Sequence, residues 1–341
     1  MQNYVEPFGG SLAVLMMRPE EHTGYVETVN DYDGYIANFW RAVKHAPDEV
    51  ARWANNPVNE NDLTARHIWL VQHRDERLAR LEGDPDYYDA KVAGWWVWGI
   101  CCWIGSGWCS GTGPWTSVDG QLVHLGNAGQ GVNRKRVHLG NAGRGVNRKL
   151  VHLGGNGGFG QGVNRSAIHK DADCAGVDTG LAELTEYLQA LAARLRYVRV
   201  CCGDWARVVT NGALAKGATV GVFLDPPYDT TIRNNTLYNS DAADEGISAA
   251  VREWAVANGD NPRYRIVLAG YDGEHAMPDT WRVVEWKSNR AYGNSSGKTA
   301  NSENRHKERL WLSPNCLRHR LDAQKKPPRM EELFAESTDP E

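Results

Sequence analysis

The sequence predicts an α/β fold in which a mainly parallel sheet is covered by helices on both faces. Three observations lead to that class. Short apolar runs with the character of buried strands begin at Tyr4, Tyr25, Tyr197, Val220, Arg265, Arg282 and Arg309. Helical patterns alternate with them, as at 180–196 and 247–257, the order expected of crossover units rather than hairpins. Gly9, Asp31, Asp204 and Asp225, all suited to holding a ligand, lie just past strands, and open α/β sheets bind ligands beyond the carboxyl ends of their strands. With 341 residues, 41% hydrophobic and 23% charged, the chain suffices for one large or two modest domains of ordinary soluble composition.

The first element starts at Tyr4-Val5-Glu6, turns through Pro7-Phe8-Gly9-Gly10-Ser11 and enters the helical pattern Leu12-Ala13-Val14-Leu15-Met16-Met17. Glycines let a ligand approach the backbone, and a helix start supplies amide donors and partial positive charge. Neither G-x-G-x-x-G nor G-x-x-x-x-G-K-[ST] is present here, which sets aside nicotinamide and phosphate-loop chemistry. The second strand, 25–29, ends at Asn30-Asp31. Asp31 is placed either to accept ribose hydroxyls at a strand tip or to cap a helix beginning near Tyr32.

A helical stretch then starts at Asn61-Asp62 and runs through Leu63, Trp69, Leu70, Leu78 and Leu81. From Ala90 to Ile104, Trp95, Trp96, Trp98 and Trp103 stand among other apolar residues, and no charge occurs between Lys91 and Asp119. Glycines interrupt this stretch, and its strongly apolar part is shorter than the ~20 residues a bilayer requires, so a buried helix is expected rather than a membrane span. The start of the chain lacks the basic and apolar runs of a secretory signal. Seven cysteines without a C-x-x-C pair point to free thiols in a reducing compartment, with Cys201 and Cys202 filling a strand. A cytoplasmic location is therefore expected.

Net charge is −4, but Gly120 to Lys170 contains eight Lys or Arg residues and no acid. Within it an internal repeat begins at Val123, restarts at Val137 and, less faithfully, at Val151, a period of 14. Units so short and glycine-rich bury no core of their own, so 123–165 reads as a glycine-rich loop or short hairpins. Local positive charge suits a polyanion, and Arg134, Lys135, Arg144, Arg148, Lys149 and Arg165 are the candidate nucleic-acid contacts. His124, His138 and His152 recur with the repeat without cysteine or carboxylate partners in the segment, so no metal site is expected.

The run Val222-Phe223-Leu224-Asp225-Pro226-Pro227-Tyr228 is a strand ending in a carboxylate, two prolines and an aromatic ring. An amine conjugated to an aromatic base is a poor nucleophile, because its lone pair is delocalised into the ring. Asp225 and a carbonyl aimed by the rigid proline pair can accept both amine hydrogens and favour a tetrahedral nitrogen. Tyr228 offers a stacking face for a base flipped out of a duplex. The bland reading is a strand followed by a rigid turn. Polar stretches at 229–246 and 292–305 read as surface loops, the second carrying Lys298 and Arg305, with Lys307 nearby, as phosphate contacts.

Taken in order, Glu6-Pro7-Phe8-Gly9-Gly10-Ser11, Asp31, Cys202-Gly203-Asp204-Trp205 and Asp225-Pro226-Pro227-Tyr228 resemble the motifs of DNA adenine-N6 methyltransferases whose glycine motif precedes the target-recognition domain. The resemblance covers about 1–60 and 196–316, and implies that these form two parts of a catalytic domain with a Rossmann-like S-adenosylmethionine-dependent methyltransferase sheet. It implies an inserted, mostly helical and loop target-recognition domain at 61–195, and a flexible tail is expected at 317–341. Glu6, Pro7, Phe8, Gly9, Gly10 and Ser11 would hold the methionine part of S-adenosyl-L-methionine, Asp31 its ribose, and Asp204 with Trp205 its adenine. Asp225, Pro226, Pro227 and Tyr228 would bind the target adenine of double-stranded DNA. Members also carry a glycine-rich, lysine-bearing segment before the first strand, whereas Met1-Gln2-Asn3-Tyr4 stands directly on it, so a shortened N-terminus is expected.

The expected activity is therefore metal-free, site-specific adenine methylation. Cytosine-N4 methylation and a non-catalytic DNA-binding homologue are the alternatives. Pairing with a cognate restriction nuclease is open, since this chain carries no nuclease motif of its own.

Overall fold

The central strands are buried on both faces, β6 through an unbroken apolar sequence and β1 with Asn3 and Glu6 buried beside Tyr4 and Val5. The computed structural model describes residues 1–19, 26–103, 107–111, 113, 115–118, 121–124, 179–227, 246–285 and 308–316. Strand β1 (Asn3–Glu6) is buried along its whole length, and β6 (Val220–Leu224) at all but one position. Helices cover both faces of such strands, so apolar side chains need not alternate with polar ones.

The sheet has seven strands in the order β5 (Val198–Cys202), β2 (Val26–Asp31), β1, β6, β7 (Tyr264–Tyr271), β9 (Glu308–Leu312) and β8 (Arg282–Glu285). The first five are parallel, while β9 runs antiparallel to both its neighbours. Val5 lies opposite Thr28 on β2 and Val222 on β6. From β1 the chain moves outward through β2 to β5, then returns to β6 on the other flank of β1. That reversal makes the β1/β6 boundary a topological switch point, the position beyond whose strand ends open α/β sheets bind their ligands. The architecture is α/β and compatible with a Rossmann-like fold.

Helix formation follows local signals. Asp33 caps α2 (Gly34–His45) by accepting from the Tyr35 amide at 2.8 Å, so of the two alternatives for Asp31 the capping role falls to the residue two positions later. Asn59 caps α4 (Glu60–Gln72), slightly before the expected Asn61-Asp62 start. The helical stretch breaks at His73 into α4 and α5 (Arg74–Gly83). Asp89 caps α6 (Ala90–Cys102) through the Val92 amide at 2.9 Å. Helix α3 (Pro47–Ala54) begins with proline at N1, where a missing N–H costs nothing. A hairpin of β3 (Trp115–Val118) and β4 (Gln121–His124) reaches into the first repeat at Val123-His124.

The tryptophan-rich α6 is a buried helix. Trp98 is fully covered and donates from Nε1 to the Asn56 carbonyl at 2.9 Å. Gly94 permits close contact with α3, since a Cβ there would collide with Trp53. Helix α7 (Thr179–Leu195) adds Leu184, Leu188 and Leu195 to the same core, which also includes Val29 and Val198 of the sheet. On the other side of the switch point, α8 (Ile247–Asn258) buries Val251 and Ala255 with Val222, Leu224 and Ile266. Among the described residues no helix is long and apolar enough to cross a membrane.

One ion cluster ties these layers together. Glu27 on β2 is 1% exposed and receives Arg194 from the end of α7 through two bonds of 2.8 and 2.9 Å. Arg18 pairs with the same carboxylate and stacks over Tyr4. Arg194 also donates to the Leu15 carbonyl at 2.9 Å. Removing the acid leaves two largely buried cations without their partner, a change that typically costs several kcal/mol. Glu27→Gln is expected to lower the unfolding free energy by about 3–5 kcal/mol in urea titrations; a loss within the range of a surface pair, about 1 kcal/mol or less, would refute the anchoring role.

Candidate functional site

Four strand ends converge at the switch point. The turn after β1 carries Pro7 to Ser11, β2 ends at Asp31, β5 leads into Gly203-Asp204, and β6 leads into Asp225. Parallel pairing brings these ends to one edge of the sheet, with Glu6 opposite Val29 and Asp31 opposite Cys202. The sequence motifs, the outermost more than two hundred positions apart, thereby become neighbours.

Hydrogen bonds fix the glycine turn against β2. The Gly9 amide donates to the Asn30 carbonyl at 2.7 Å, and the Gly10 amide donates to Asp31 Oδ2 at 2.8 Å. Trp40 Nε1 donates to the Gly10 carbonyl at 2.9 Å. A Cβ at Gly9 would stand 3.1 Å from the Asn30 carbonyl oxygen, tighter than ordinary contact, so glycine eases the close approach. Gly10 adopts φ +49, and no atom lies within 4 Å of where its Cβ would stand. The turn is thus held from below and open above.

The third strand end is joined to the same junction. Asn30 Nδ2 donates to the Pro7 carbonyl at 3.0 Å and to the Gly203 carbonyl at 2.8 Å, while the Gly203 amide donates to the Asp31 carbonyl at 3.0 Å. Asp204 is exposed and caps a single 3-10 turn, Trp205–Val208, through the Ala206 amide. Phe8 and Trp205 stack with centroids 6.0 Å apart at 28°. Their rings link the first and third turns with a flat apolar surface.

The expected contribution of a helix start after the glycine turn is smaller than the sequence implied. Helix α1 (Ala13–Met16) is one turn long, and Leu12 before it sits at φ +55. Pro19 disfavours helical backbone at Arg18, which instead turns toward Glu27. So short a helix has little dipole.

Carboxyl groups dominate the electrostatics. Burial pushes Asp31 up to about 7, assisted by the neighbouring Asp33, against the bonds it accepts from the amides of Gly10, Asp33 and Tyr32. Glu6 is 2% exposed and accepts from Tyr4 Oη at 2.5 Å; burial pushes it up to about 7 as well, with Asp225 adding like-charge repulsion. Glu308 at the start of β9 is likewise raised by burial and by Asp225. Asp225 itself is exposed, Pro226 buried and Pro227 half-buried. An acceptor-rich rim of this kind suits hydroxyl, amine and cationic ligand groups.

The described residues therefore bring together Pro7, Phe8, Gly9, Gly10, Ser11, Asp31, Asp204, Trp205, Asp225, Pro226 and Pro227, with Glu6 buried beneath the turn rather than lining its open side. Tyr228 lies outside the described residues, as do Arg134, Lys135, Arg144, Arg148, Lys149, Arg165 and Lys298. Sequence reasoning missed Asn30 as the cross-link, Trp40 as the clamp on Gly10, and Glu308 as a neighbour of Asp225. Asn30 alone had a visible signal, a polar residue standing beside the strand-end acid Asp31. Cys202 is buried and its thiol is pushed up to about 12 by burial, which fits a packing role. Among the described residues no group of His, Cys, Asp and Glu is placed to hold a metal ion.

Neither a scan of known protein families nor a search of curated proteins returned a match to this chain.

The raised Glu6 carboxyl has a signed consequence. Because its folded value, about 7, exceeds the ordinary 4.5, its stabilising contribution is full below pH 4.5 and is lost as pH rises through about 7. The stability of the native chain relative to Glu6→Gln should decline across that window in chemical denaturation. A flat difference between pH 4 and 8 would contradict the buried, acid-form carboxyl.

Proposed function

We propose that this chain is a site-specific DNA methyltransferase that uses S-adenosyl-L-methionine to methylate the N6 amine of adenine. The observation that carries this reading is the meeting of the glycine turn, Asp31, Asp204-Trp205 and Asp225-Pro226-Pro227 at adjacent parallel strand ends on a switch point.

The residues fit the cofactor. Gly10 leaves open space above a turn that a side chain at Gly9 would crowd. Asp31 receives the Gly10 and Asp33 amides, one on each oxygen, and a carboxylate retains further lone pairs for ribose hydroxyls. Phe8 and Trp205 provide apolar ring surface for an adenine. When bound, S-adenosyl-L-methionine supplies an electrophilic methyl group on a cationic sulfonium. Asp225, exposed at the end of β6 and near enough to act on Glu6 and Glu308, places a carboxylate at this end of the sheet that favours a cation.

On the substrate side, Asp225 is exposed at the end of a buried strand and would accept a hydrogen from the adenine amine, with the Pro226 carbonyl accepting the other. Withdrawing both hydrogens from the ring plane localises the nitrogen lone pair, so Asp225 acts as an acceptor in the transition state rather than as a strong base. Tyr228 would form the floor under the flipped base. The basic repeats, with Arg134, Lys135, Arg144, Arg148, Lys149 and Arg165, would neutralise backbone phosphates, joined by Lys298.

The test is methyl transfer from labelled S-adenosyl-L-methionine to unmethylated genomic DNA, with nucleoside analysis of the product. N6-methyladenine is expected, and Asp225→Ala should lower turnover by on the order of 10²–10³-fold or more while cofactor affinity stays within about threefold. N4-methylcytosine would instead identify the cytosine enzyme, and DNA binding without any methyl transfer would identify a non-catalytic homologue.

A further inference from the structure

The glycine turn uses its backbone donors unevenly. Of the four consecutive amides from Gly9 to Leu12, that of Gly9 donates to the Asn30 carbonyl, that of Gly10 to Asp31 Oδ2 and that of Leu12 to the Gly9 carbonyl at 2.8 Å. Among the described residues the Ser11 amide has no hydrogen-bond partner. Ser11 is exposed, and the space above Gly10 is open. One donor of the turn is therefore left for a ligand.

Its direction is set from the opposite side of the same peptide. The Gly10–Ser11 bond is trans, and in a trans peptide the carbonyl and the amide point in opposite directions. The Gly10 carbonyl receives Trp40 Nε1 at 2.9 Å, and Trp40 is 8% exposed. That carbonyl is thus turned into the core, and the Ser11 amide is turned out of it. The indole is itself held in place, since Phe39 meets it edge-on with centroids 4.9 Å apart and packs in turn against Trp96 of α6 at 5.8 Å. Next along the chain, Leu12 sits at φ +55, a backbone state that persists only where the surroundings enforce it.

We propose that Trp40 is a positioning residue, which aims the Ser11 amide at a carboxylate of the bound ligand. The proposal rests on the S-adenosyl-L-methionine reading, because the amino-acid end of that cofactor carries such a group. The side chains of Asp31, Asp204 and Asp225 are acceptors when ionised, so an anionic group beside this turn needs a donor from the backbone. A hydrogen bond to a carboxylate is stronger than one between neutral groups. It gains further when the donor is oriented before the ligand arrives. Trp40 touches no ligand atom in this arrangement; its N–H acts through the peptide it holds.

The experiment measures the affinity of the full chain for S-adenosyl-L-homocysteine, which keeps the amino-acid end, and for methylthioadenosine, which lacks it. Trp40→Phe keeps a ring and removes the N–H. Benzothienylalanine at the same position replaces the N–H by sulfur in a ring of nearly unchanged shape, and decides the matter should Trp40→Phe fold poorly. Phe39→Leu is the packing control, since it disturbs the ring contact and leaves the indole donor. Loss of the N–H should weaken S-adenosyl-L-homocysteine binding by about tenfold and methylthioadenosine binding by less than about twofold, while Phe39→Leu shows no such selectivity. Equal losses for the two ligands, no loss for either, or the same selectivity in Phe39→Leu would overturn the positioning role and leave the cofactor reading standing. If the native chain binds neither ligand, the S-adenosyl-L-methionine reading itself fails and the role of Trp40 falls with it.

Discussion

Everything proposed for the strand ends depends on one junction at the tip of β2. Asn30 and Asp31 use side chain and backbone together to hold three turns from three parts of the sequence. Asn30 reaches the carbonyls of Pro7 and Gly203, and Asp31 takes the Gly10 amide on its carboxylate and the Gly203 amide on its carbonyl. Buried backbone groups in irregular turns need partners as much as those in a sheet do. Here the partners are supplied by the strand lying between the turns. Loss of the junction would leave the glycine turn, Asp204 and Trp205 attached to the sheet but not to one another.

Two buried acids in neighbouring strands are solved in opposite ways. Glu27 is neutralised by Arg18 and Arg194 and becomes a structural anchor joining α7 to the sheet. Glu6 receives a tyrosine hydroxyl and lies near Asp225, so burial holds it toward its acid form. The first arrangement binds the layers together, whereas the second leaves an ionisable group beneath the turn. A cation entering above that turn would favour ionisation, coupling ligand charge to a proton.

Packing also clarifies how the long middle region relates to the sheet. Helices α6 and α7 share a core with α2, α3 and the outer strands, including Trp98, Leu188 and Val198. In the proposed enzyme, contacts made by the basic repeats would be carried on a segment whose two flanks, α6 and α7, are built into the catalytic core. Arg194 and Glu27 provide the most direct mechanical link, since Arg194 also holds the carbonyl of Leu15 just after the glycine turn.

Local information was sufficient for much of the molecule. By itself the sequence determined the class of fold, because unbroken apolar strands such as 220–224 can only be buried on both faces, and because Asp89, Pro47 and the leucines of 181–195 carry their helix signals within a few residues. It also marked Gly9, Asp31, Asp204 and Asp225 as strand-end residues. Only the tertiary structure decided that these ends lie side by side, that Asn30 rather than a helix start organises the glycine turn, and that Asp33 rather than Asp31 caps the helix that follows. The physical reason is range: helix and strand signals arise from neighbours along the chain, whereas bonds such as Asn30 to Gly203 and Arg194 to Glu27 join residues more than 160 positions apart and exist only once strand order and register are set.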